Sequence, residues 1–552
     1  MTRRFTVAIV LLGLPLLGTT AWSAAAPPED ASAEPAEPAE PVSPEPSASA
    51  EASAPELVDE PNPAAEMLAS PTKLLANDRP ADAFSQLAVI LGSYDEGSPV
   101  YQGAQFLLGQ TLFALNLPLS ASYVFGDIAS VGEEHPHYFE TVDWFLNIQR
   151  QVPGDDESLG RLAEYDPMLY PPDDADEIRF MVGRHFYGND DLDAAKESLE
   201  YIQQEAGIPY LKARFLLGVI YTRENTAQPA LEAFKDILRY QRDVQNNDAV
   251  RRIAEKAVLA LGRLFYTAGQ FDTATRYYDR IDDQHPGWLE SLFEVSWTYY
   301  QVGNHSRALG NLHTLNSPYF ADAYHPEALI LQAVILYSNC HYSKALGTVR
   351  QFVDSYKPLK EELETQLRQT TDPNAFYAYL AHLSQSERSG LSLRLKRVFN
   401  AALQDARLRR LLRHVVHLDN ETLELEKLLK KASAGPAREL VTSTLTILIS
   451  YRDMLVADAG QAARDRLERV YTELRGLLSQ GLRIKVEVLR GQRKEFALEK
   501  NMSAADVSAR RNAALPEPGT DAEHMYWPFD GEYWRDELGA YTFLVPNRCL
   551  KR

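Results

Sequence analysis

The sequence predicts an all-α protein built from repeated helical hairpins, followed by long helices and a short aromatic tail. Three observations support this prediction. One frame of small and aromatic residues recurs six times before residue 357, a stretch rich in Leu, Arg, Lys and Glu follows it, and aromatic residues crowd the tail. At 552 residues the chain exceeds one compact domain, so an extended array or several cores is expected.

Composition narrows the class of protein. Hydrophobic residues make up 45% and charged residues 24% of the chain, which is typical of a soluble protein with a buried core. The formal net charge of -21 argues against nucleic acid as the main partner, because phosphate recognition needs a large basic surface. We therefore expect no nucleic-acid partner.

The N-terminus has the pattern of a secretory signal peptide, predicted over residues 1–26. Arg3 and Arg4 precede an apolar run at 5–17, and small residues follow at 21–26. An uncleaved amphipathic anchor is the alternative. No later stretch approaches the roughly 20 apolar residues that span a bilayer, so we expect no transmembrane segment in the mature chain and a periplasmic location.

Residues 27–66 are predicted to be a disordered linker. Pro, Ala, Glu and Ser dominate, and no Lys or Arg occurs between Arg4 and Lys73. Such a segment buries too little apolar surface to offset chain entropy. It is either a tether that spaces the folded part from another component or a solubilising leader.

The repeated frame has a small residue, an alanine twelve positions later and a large apolar residue four positions after that. Small side chains at the first two positions allow neighbouring helices to approach closely. The first small residue is Gly109, Gly183, Gly218, Gly262, Ser296 or Ala333, and the alanine is Ala121, Ala195, Ala230, Ala274, Ala308 or Ala345.

This frame resembles the tetratricopeptide repeat (TPR), a helix-turn-helix unit of roughly 34 residues. The resemblance covers about residues 68–356 and implies a superhelical solenoid of about six to eight units, predicted as a domain over 67–357. The spacing between Gly109 and Gly183 leaves room for a degenerate unit at 141–165, and 81–91 is expected to cap the array. Such a fold implies protein binding without naming the partner.

In TPR proteins the first helix of each unit, helix A, lines the inner wall, which implies a protein-binding groove. Four positions after the small residue, five of six copies are aromatic. Aromatic and Arg side chains dominate binding energy at interfaces. Alternatively, these side chains merely pack between helices. The predicted groove residues are Arg184, Tyr187, Lys212, Arg223, Arg263, Tyr266, Trp297, Tyr300 and Tyr337.

Residues 358–515 are predicted to form a basic domain of long helices. Gly435-Pro436 marks a turn, and apolar residues at alternating spacings of three and four predict a helical hairpin or a short coiled coil. Residues 388–511 carry about ten more basic than acidic side chains, which suits peripheral contact with an anionic surface or a solvated helix face. The alternating residues are Leu467, Val470, Leu474, Leu477, Ile484 and Val488.

The aromatic tail, predicted over 516–552, is expected to fold back as a clasp, with 541–545 as a strand-like piece. In an oxidising compartment Cys340 and Cys549 either pair or remain apart, with Cys340 as an inert thiol in an apolar helix. The phrase WPFDGEYWRDELG also resembles the C-terminus of periplasmic TPR proteins from gliding and predatory proteobacteria. That resemblance implies a trans-envelope motility or transport machine.

No catalytic motif stands out. His414 and His417 lie one helical turn apart without a carboxylate or cysteine to complete a metal site, and Asp155-Asp156 suits a solvated turn. We expect no metal and no cofactor. The predicted function is a non-enzymatic periplasmic scaffold that binds envelope proteins or peptides. A coiled-coil brace of an envelope complex and a cell-wall hydrolase are the alternatives.

Overall fold

The structure is a computed structural model, and it describes residues 63–244, 247–320, 323–385, 392, 395–396, 398–399, 406–432, 434–503, 507–508 and 529–549. The regular secondary structure of these residues is helical, which confirms the all-α prediction. The predicted signal peptide and all but the last residues of the predicted linker lie outside the described part of the chain. The first helix begins at Pro63, within the last residues of that linker.

Sixteen helices of the described chain form eight successive helix-turn-helix hairpins, which confirms the predicted solenoid. The first helix of each hairpin is helix A and the second is helix B. The hairpins are α1 (Pro63–Ala76) with α2 (Pro80–Leu91), α3 (Pro99–Ala114) with α4 (Pro118–Val131), α5 (Thr141–Gln151) with α6 (Asp156–Glu164), α7 (Ala175–Gly188) with α8 (Leu192–Glu200), α9 (Ile208–Arg223) with α10 (Ala227–Asp243), α11 (Asp248–Thr267) with α12 (Phe271–Tyr278), α13 (Trp288–Gln301) with α14 (His305–Leu315), and α15 (Pro326–Ser338) with α16 (Tyr342–Gln369).

In the four frames whose small residue is glycine, that residue fits against a large side chain of helix B in the same hairpin. A Cβ atom added to Gly109 would lie 2.5 Å from Phe125 Cε1, and one added to Gly218 would lie 2.5 Å from Phe234 Cε1. Any larger residue would therefore push the two helices apart. The alanines of the frame are all fully buried: Ala121, Ala195, Ala230, Ala274, Ala308 and Ala345.

The turn between helix A and helix B carries a left-handed residue seven positions after the small one. Its φ is +62° at Asn116, +69° at Asp190, +60° at Asn225, +73° at Gly269, +79° at Gly303 and +60° at Cys340. Asn, Asp and Gly tolerate this conformation best. Cys340 is therefore a turn residue, and the expectation that it lies within an apolar helix is wrong.

After the solenoid, the described part of the chain continues with α17 (Pro373–Gln385), α18 (Ala406–Lys431) and α19 (Pro436–Glu499). With 64 residues, α19 is about 96 Å long. It forms a hairpin with α18 and then packs along α17, α16 and α15. The predicted apolar seam faces inward along this path, since Leu467, Leu474 and Val488 are buried in cores shared with other helices. The seam is therefore occupied within the molecule.

The α18–α19 hairpin also packs on the first repeats. Val415, Leu418 and Val441 share one core with Phe84 and Leu87 of α2. Because α19 reaches α15 and α16 at its other end, it connects the beginning of the solenoid with its last hairpin.

Glu421 of α18 caps the N-terminal end of α4. Its carboxylate accepts bonds from the backbone N–H of Leu119 at 2.6 Å, the backbone N–H of Ser120 at 3.0 Å and the Ser120 hydroxyl at 2.7 Å. A side-chain oxygen acceptor suits this place because the first N–H groups of a helix lack partners within the helix.

Residues 529–549 form the predicted clasp over α14 and the turn before α16. The Phe543 N–H donates to Ser306 O at 3.1 Å and the Arg548 N–H donates to Asn339 O at 3.1 Å. Cys549 is disulfide-bonded to Cys340. The strand-like piece expected at 541–545 is not a strand, because this backbone bonds to helix ends and offers no ladder.

One helix of the described chain, α19, is long and apolar enough to cross a membrane by length and composition. Its most apolar 18-residue stretch has a mean hydropathy of 1.3, and 22% of that stretch is buried in the molecule. No such stretch was expected from the sequence. The same helix packs along other helices of this chain.

Candidate binding groove

The helix-A face of the middle repeats is a surface that the packing of the described helices leaves open. The α18–α19 hairpin covers the first repeats, and α19 covers α15. Within the described chain, α9, α11 and α13 make no packing of comparable extent with α18 or α19. We call the helix-A side of α7, α9, α11 and α13 the groove.

Four predicted groove tyrosines stand at the same position, one residue before the end of helix A. Tyr187, Tyr266, Tyr300 and Tyr337 are half-buried there, on α7, α11, α13 and α15. Each of the last three rings packs on a side chain at the start of its own helix B. Ring centroids lie 5.3 Å apart for Tyr266 and Phe271, 5.7 Å for Tyr300 and His305, and 5.9 Å for Tyr337 and Tyr342. Tyr187, Tyr266 and Tyr300 therefore line the rim of the groove, next to the turns, whereas Tyr337 is on α15, which α19 covers.

Trp297, also predicted to line the groove, is buried. Its exposed fraction is 9%, and its ring packs edge-on against Tyr300 with 6.2 Å between the centroids. The side chain belongs to the core of α9–α16, because α13 is enclosed by helices on both sides. Trp297 therefore supports the groove wall from within the core and does not line the groove surface.

Arg263 is held by two acidic side chains of the next helix A. Its Nε lies 3.0 Å from both carboxylate oxygens of Glu294, and a terminal nitrogen lies 2.8 Å from Glu290. Burial acts to lower the pKa of Arg263, but the hydrogen bonds and charges of the two glutamates raise it above its ordinary value. The predicted cation is thus neutralised within the groove, and the surface around it is mixed in charge.

The other predicted cations do not form one cluster. Lys212 Nζ lies 5.5 Å above the Phe180 ring, and Arg223 forms an ion pair with Asp190 at the neighbouring turn. Solvent reaches Arg184, yet desolvation by the surrounding helices and the positive charge of Arg410 lower its pKa. Each cation therefore has its own environment, and Arg184 faces α18.

Sequence reasoning did not single out a second column of aromatic residues on helix A. Phe180, Phe215 and Phe293 stand three positions before the small residue of their repeats and remain half-buried. Helical residues three apart share a face, so each ring lies beside the small residue of its helix A, and the Phe215 ring packs against Phe234 of helix B with 5.7 Å between the centroids. Counting backwards from the small residue, as well as forwards, would have found them.

Titratable groups collect where the groove meets α19. The His325 ring stacks on Phe293 with 5.8 Å between centroids, and burial lowers its pKa. Burial and the negative charge of Glu473 on α19 raise the pKa of Glu327 to about 7. Burial at this end of the groove thus favours the uncharged forms of His325 and Glu327.

A separate cavity of about 460 Å³ lies on the helix-B side, between α10 and α12. Two of its cations are already paired, Lys235 with Glu232 and Arg239 with Glu232 and Asp236. The cavity is lined by Lys235, Leu238, Arg239, Gln241, Arg242, Tyr277 and Arg280.

The residues considered for chemistry have structural surroundings. Asp155 caps α6 by accepting from the Ser158 N–H at 3.0 Å, and His414 is buried. In the described part of the chain, no three His, Cys, Asp or Glu side chains come together as a metal-binding group.

Comparisons with known proteins add little. No family model matches the chain, and no curated protein matches it. One similar solved structure is described as a kinesin light chain with nearly identical TPR-like repeats from Podosopora anserina. It is 13% identical, with 50% of this chain and 98% of that chain covered and a TM-score of 0.13. A TM-score that low carries no argument, so the TPR-like assignment rests on the hairpins, frame and turns described above.

Proposed function

We propose that this protein is a non-enzymatic scaffold that holds an extended segment of another envelope protein in the groove. The observation that carries this proposal is the helix-A face of α9, α11 and α13, which the α18–α19 hairpin leaves open. Repeat solenoids use such continuous inner surfaces to bind partners.

The chemistry of the groove suits a peptide with both apolar and polar side chains. Half-buried phenylalanines offer rigid apolar contacts, and the rim tyrosines combine a ring with a hydroxyl. The paired charges of Arg263 and Glu294 favour no single sign of partner charge.

We place this activity in the periplasm, as part of a trans-envelope motility or transport complex. The signal-peptide pattern and the Cys340–Cys549 disulfide support an exported, oxidising location. The resemblance of the tail to periplasmic TPR proteins supports the complex. The alternative function, a coiled-coil brace, would use the apolar seam of α19, and that seam is buried within the chain.

Site-specific photo-crosslinking in cells tests the groove. A photoreactive phenylalanine analogue replaces Tyr266 or Tyr300 at the groove, and Tyr201 at an exposed control position on the loop after α8. We expect the same envelope protein to crosslink from both groove positions and not from Tyr201. Equal crosslinking from all three positions, with each variant folded by circular dichroism, would show that the groove does not select the partner.

A further inference from the structure

The C-terminal part of α19 carries a second apolar stripe on its outward side. Leu482, Val486, Leu489 and Phe496 form this outer stripe, with exposed fractions of 54%, 47%, 46% and 56%. Their spacings of four, three and seven residues place them in one line along the helix. The stripe extends for about 21 Å along the helix axis.

The opposite side of the same segment is fixed to the last hairpin. Val488 is fully buried, and Cβ atoms on Gly481 and Gly491 would lie 3.2 Å and 2.5 Å from Phe352 and Tyr342. A helix that packs on one side is normally polar on the other. Against the residues that the structure describes, the four large apolar side chains on the outward face are therefore an unpartnered surface.

The outer stripe has the spacing of a coiled-coil seam. Leu482, Leu489 and Phe496 fall at d positions of a heptad, Val486 falls at an a position, and Arg493 fills the next a position. Three of the four e and g positions between Leu482 and Phe496 are basic, namely Arg483, Lys485 and Arg490, and the fourth is Gln492. Charges at e and g positions determine which helix a coiled coil accepts.

A second copy of this chain does not suit the stripe. In a parallel pair Lys485 at g would face Arg490 at e of the other copy, and in an antiparallel pair basic side chains would again face each other. Arg493 would also meet its own counterpart at the seam. Like charges at these positions oppose pairing.

We propose that the outer stripe is a docking site for an acidic amphipathic helix of a partner protein. That helix presents apolar side chains at a and d and Glu or Asp at e and g. A carboxylate of the partner near Arg493 would satisfy the charge within the seam. The stripe is one side chain wide, which matches a coiled-coil seam better than the broad apolar face of a helix lying in a lipid interface. The proposal is independent of the groove, because the outer stripe is on the far side of α19 from the solenoid.

The test uses the mature full-length chain and two synthetic peptides of three heptads, with Leu at a and d and either Glu or Lys at e and g. Fluorescence anisotropy is expected to show binding of the Glu peptide, weakened by added salt, and no binding of the Lys peptide. The Leu489→Ser variant should lose at least about tenfold in affinity. Ile447→Ser is the matched control, because it removes an exposed apolar side chain of α19 outside the stripe.

Charge reversal gives the decisive result. The triple variant Arg483→Glu, Lys485→Glu and Arg490→Glu should reverse the preference and bind the Lys peptide. If this variant fails to fold by circular dichroism, the comparison of Leu489→Ser with Ile447→Ser decides. Failure of the Glu peptide to bind, or equal binding of both peptides, would overturn the proposal. Binding to phosphatidylglycerol vesicles without binding to the Glu peptide would overturn it in favour of a lipid surface.

Discussion

Alanine substitution at two helical glycines should change the stability of the protein in opposite directions. Gly218 is the small residue of α9, and a Cβ there would lie 2.5 Å from Phe234 Cε1. Gly347 lies in α16 with no heavy atom within 4 Å of its would-be Cβ. The two substitutions are chemically identical, so the difference between them isolates the packing of helix A on helix B.

The magnitude follows from two opposing effects. Alanine improves helix propensity by about 1 kcal/mol at either glycine. The Phe234 ring cannot retreat, because it is 1% exposed and packs edge-on against Phe215 at 5.7 Å. Overpacking of this kind costs about 1–3 kcal/mol. Gly218→Ala should therefore lose up to about 2 kcal/mol, whereas Gly347→Ala should gain up to about 1 kcal/mol.

Thermal unfolding by circular dichroism measures this difference, with the disulfide intact in all samples. Gly218→Ala should lower the melting temperature and Gly347→Ala should raise it. A second substitution, Phe234→Leu, should relieve part of the loss in Gly218→Ala, because it removes the atoms that the new Cβ meets. Equal shifts for the two alanine variants, or no relief in the double variant, would refute the steric explanation of the small residue.

Two further predictions concern the contact between α18 and α4 and the disulfide bond of the clasp. Burial, partly offset by the bonds from Leu119 and Ser120, raises the pKa of Glu421 to about 7. The protonated side chain therefore contributes about 3 kcal/mol to the free energy of unfolding below pH 4.5, and this contribution is lost as pH rises through 7. Urea unfolding from pH 5 to 8 should show the loss in the native chain and not in Glu421→Gln, and identical profiles would contradict it. Replacing Cys340 by Asn, which suits the left-handed turn, removes a crosslink over 209 residues that stabilises the fold by about 5 kcal/mol in the chain-entropy model. Limited proteolysis should therefore cut residues 529–549 faster in this variant. An unchanged rate would show that the clasp holds without the disulfide bond.

The solenoid could be predicted from the sequence because its determinants are local. Gly218, Ala230 and Phe234 meet within one hairpin, so a fixed spacing in sequence corresponds to a contact in space. The same is true of the turn, where Asn225 adopts the left-handed conformation seven residues after the small residue. The prediction that Cys340 lies in a helix was wrong because it rested on the apolar residues nearby and not on this turn position.

The groove was harder to predict because its surface depends on contacts between repeats. Arg263 was predicted to line the groove as a cation, but it is paired with Glu294, a residue of the next helix A. Trp297 counted as a groove residue, although the helices around α13 bury it. The inward seam of α19 was visible in the spacing of Leu467 and Leu474, but spacing alone does not reveal whether a seam is filled by the same chain or by another.

The bond between Glu421 and α4 also affects the order in which the molecule can fold. Leu119 and Glu421 are 302 residues apart in the chain. During synthesis, which starts at the N-terminus, each hairpin can pack on the previous one as soon as it has formed. The core of the first repeats, however, stays incomplete until α18 and α19 have emerged, and closing so long a loop is slow compared with local packing. Fast local assembly is thus followed by one late closure, and a chain truncated before α18 would leave the apolar surface of its earliest repeats open to aggregation.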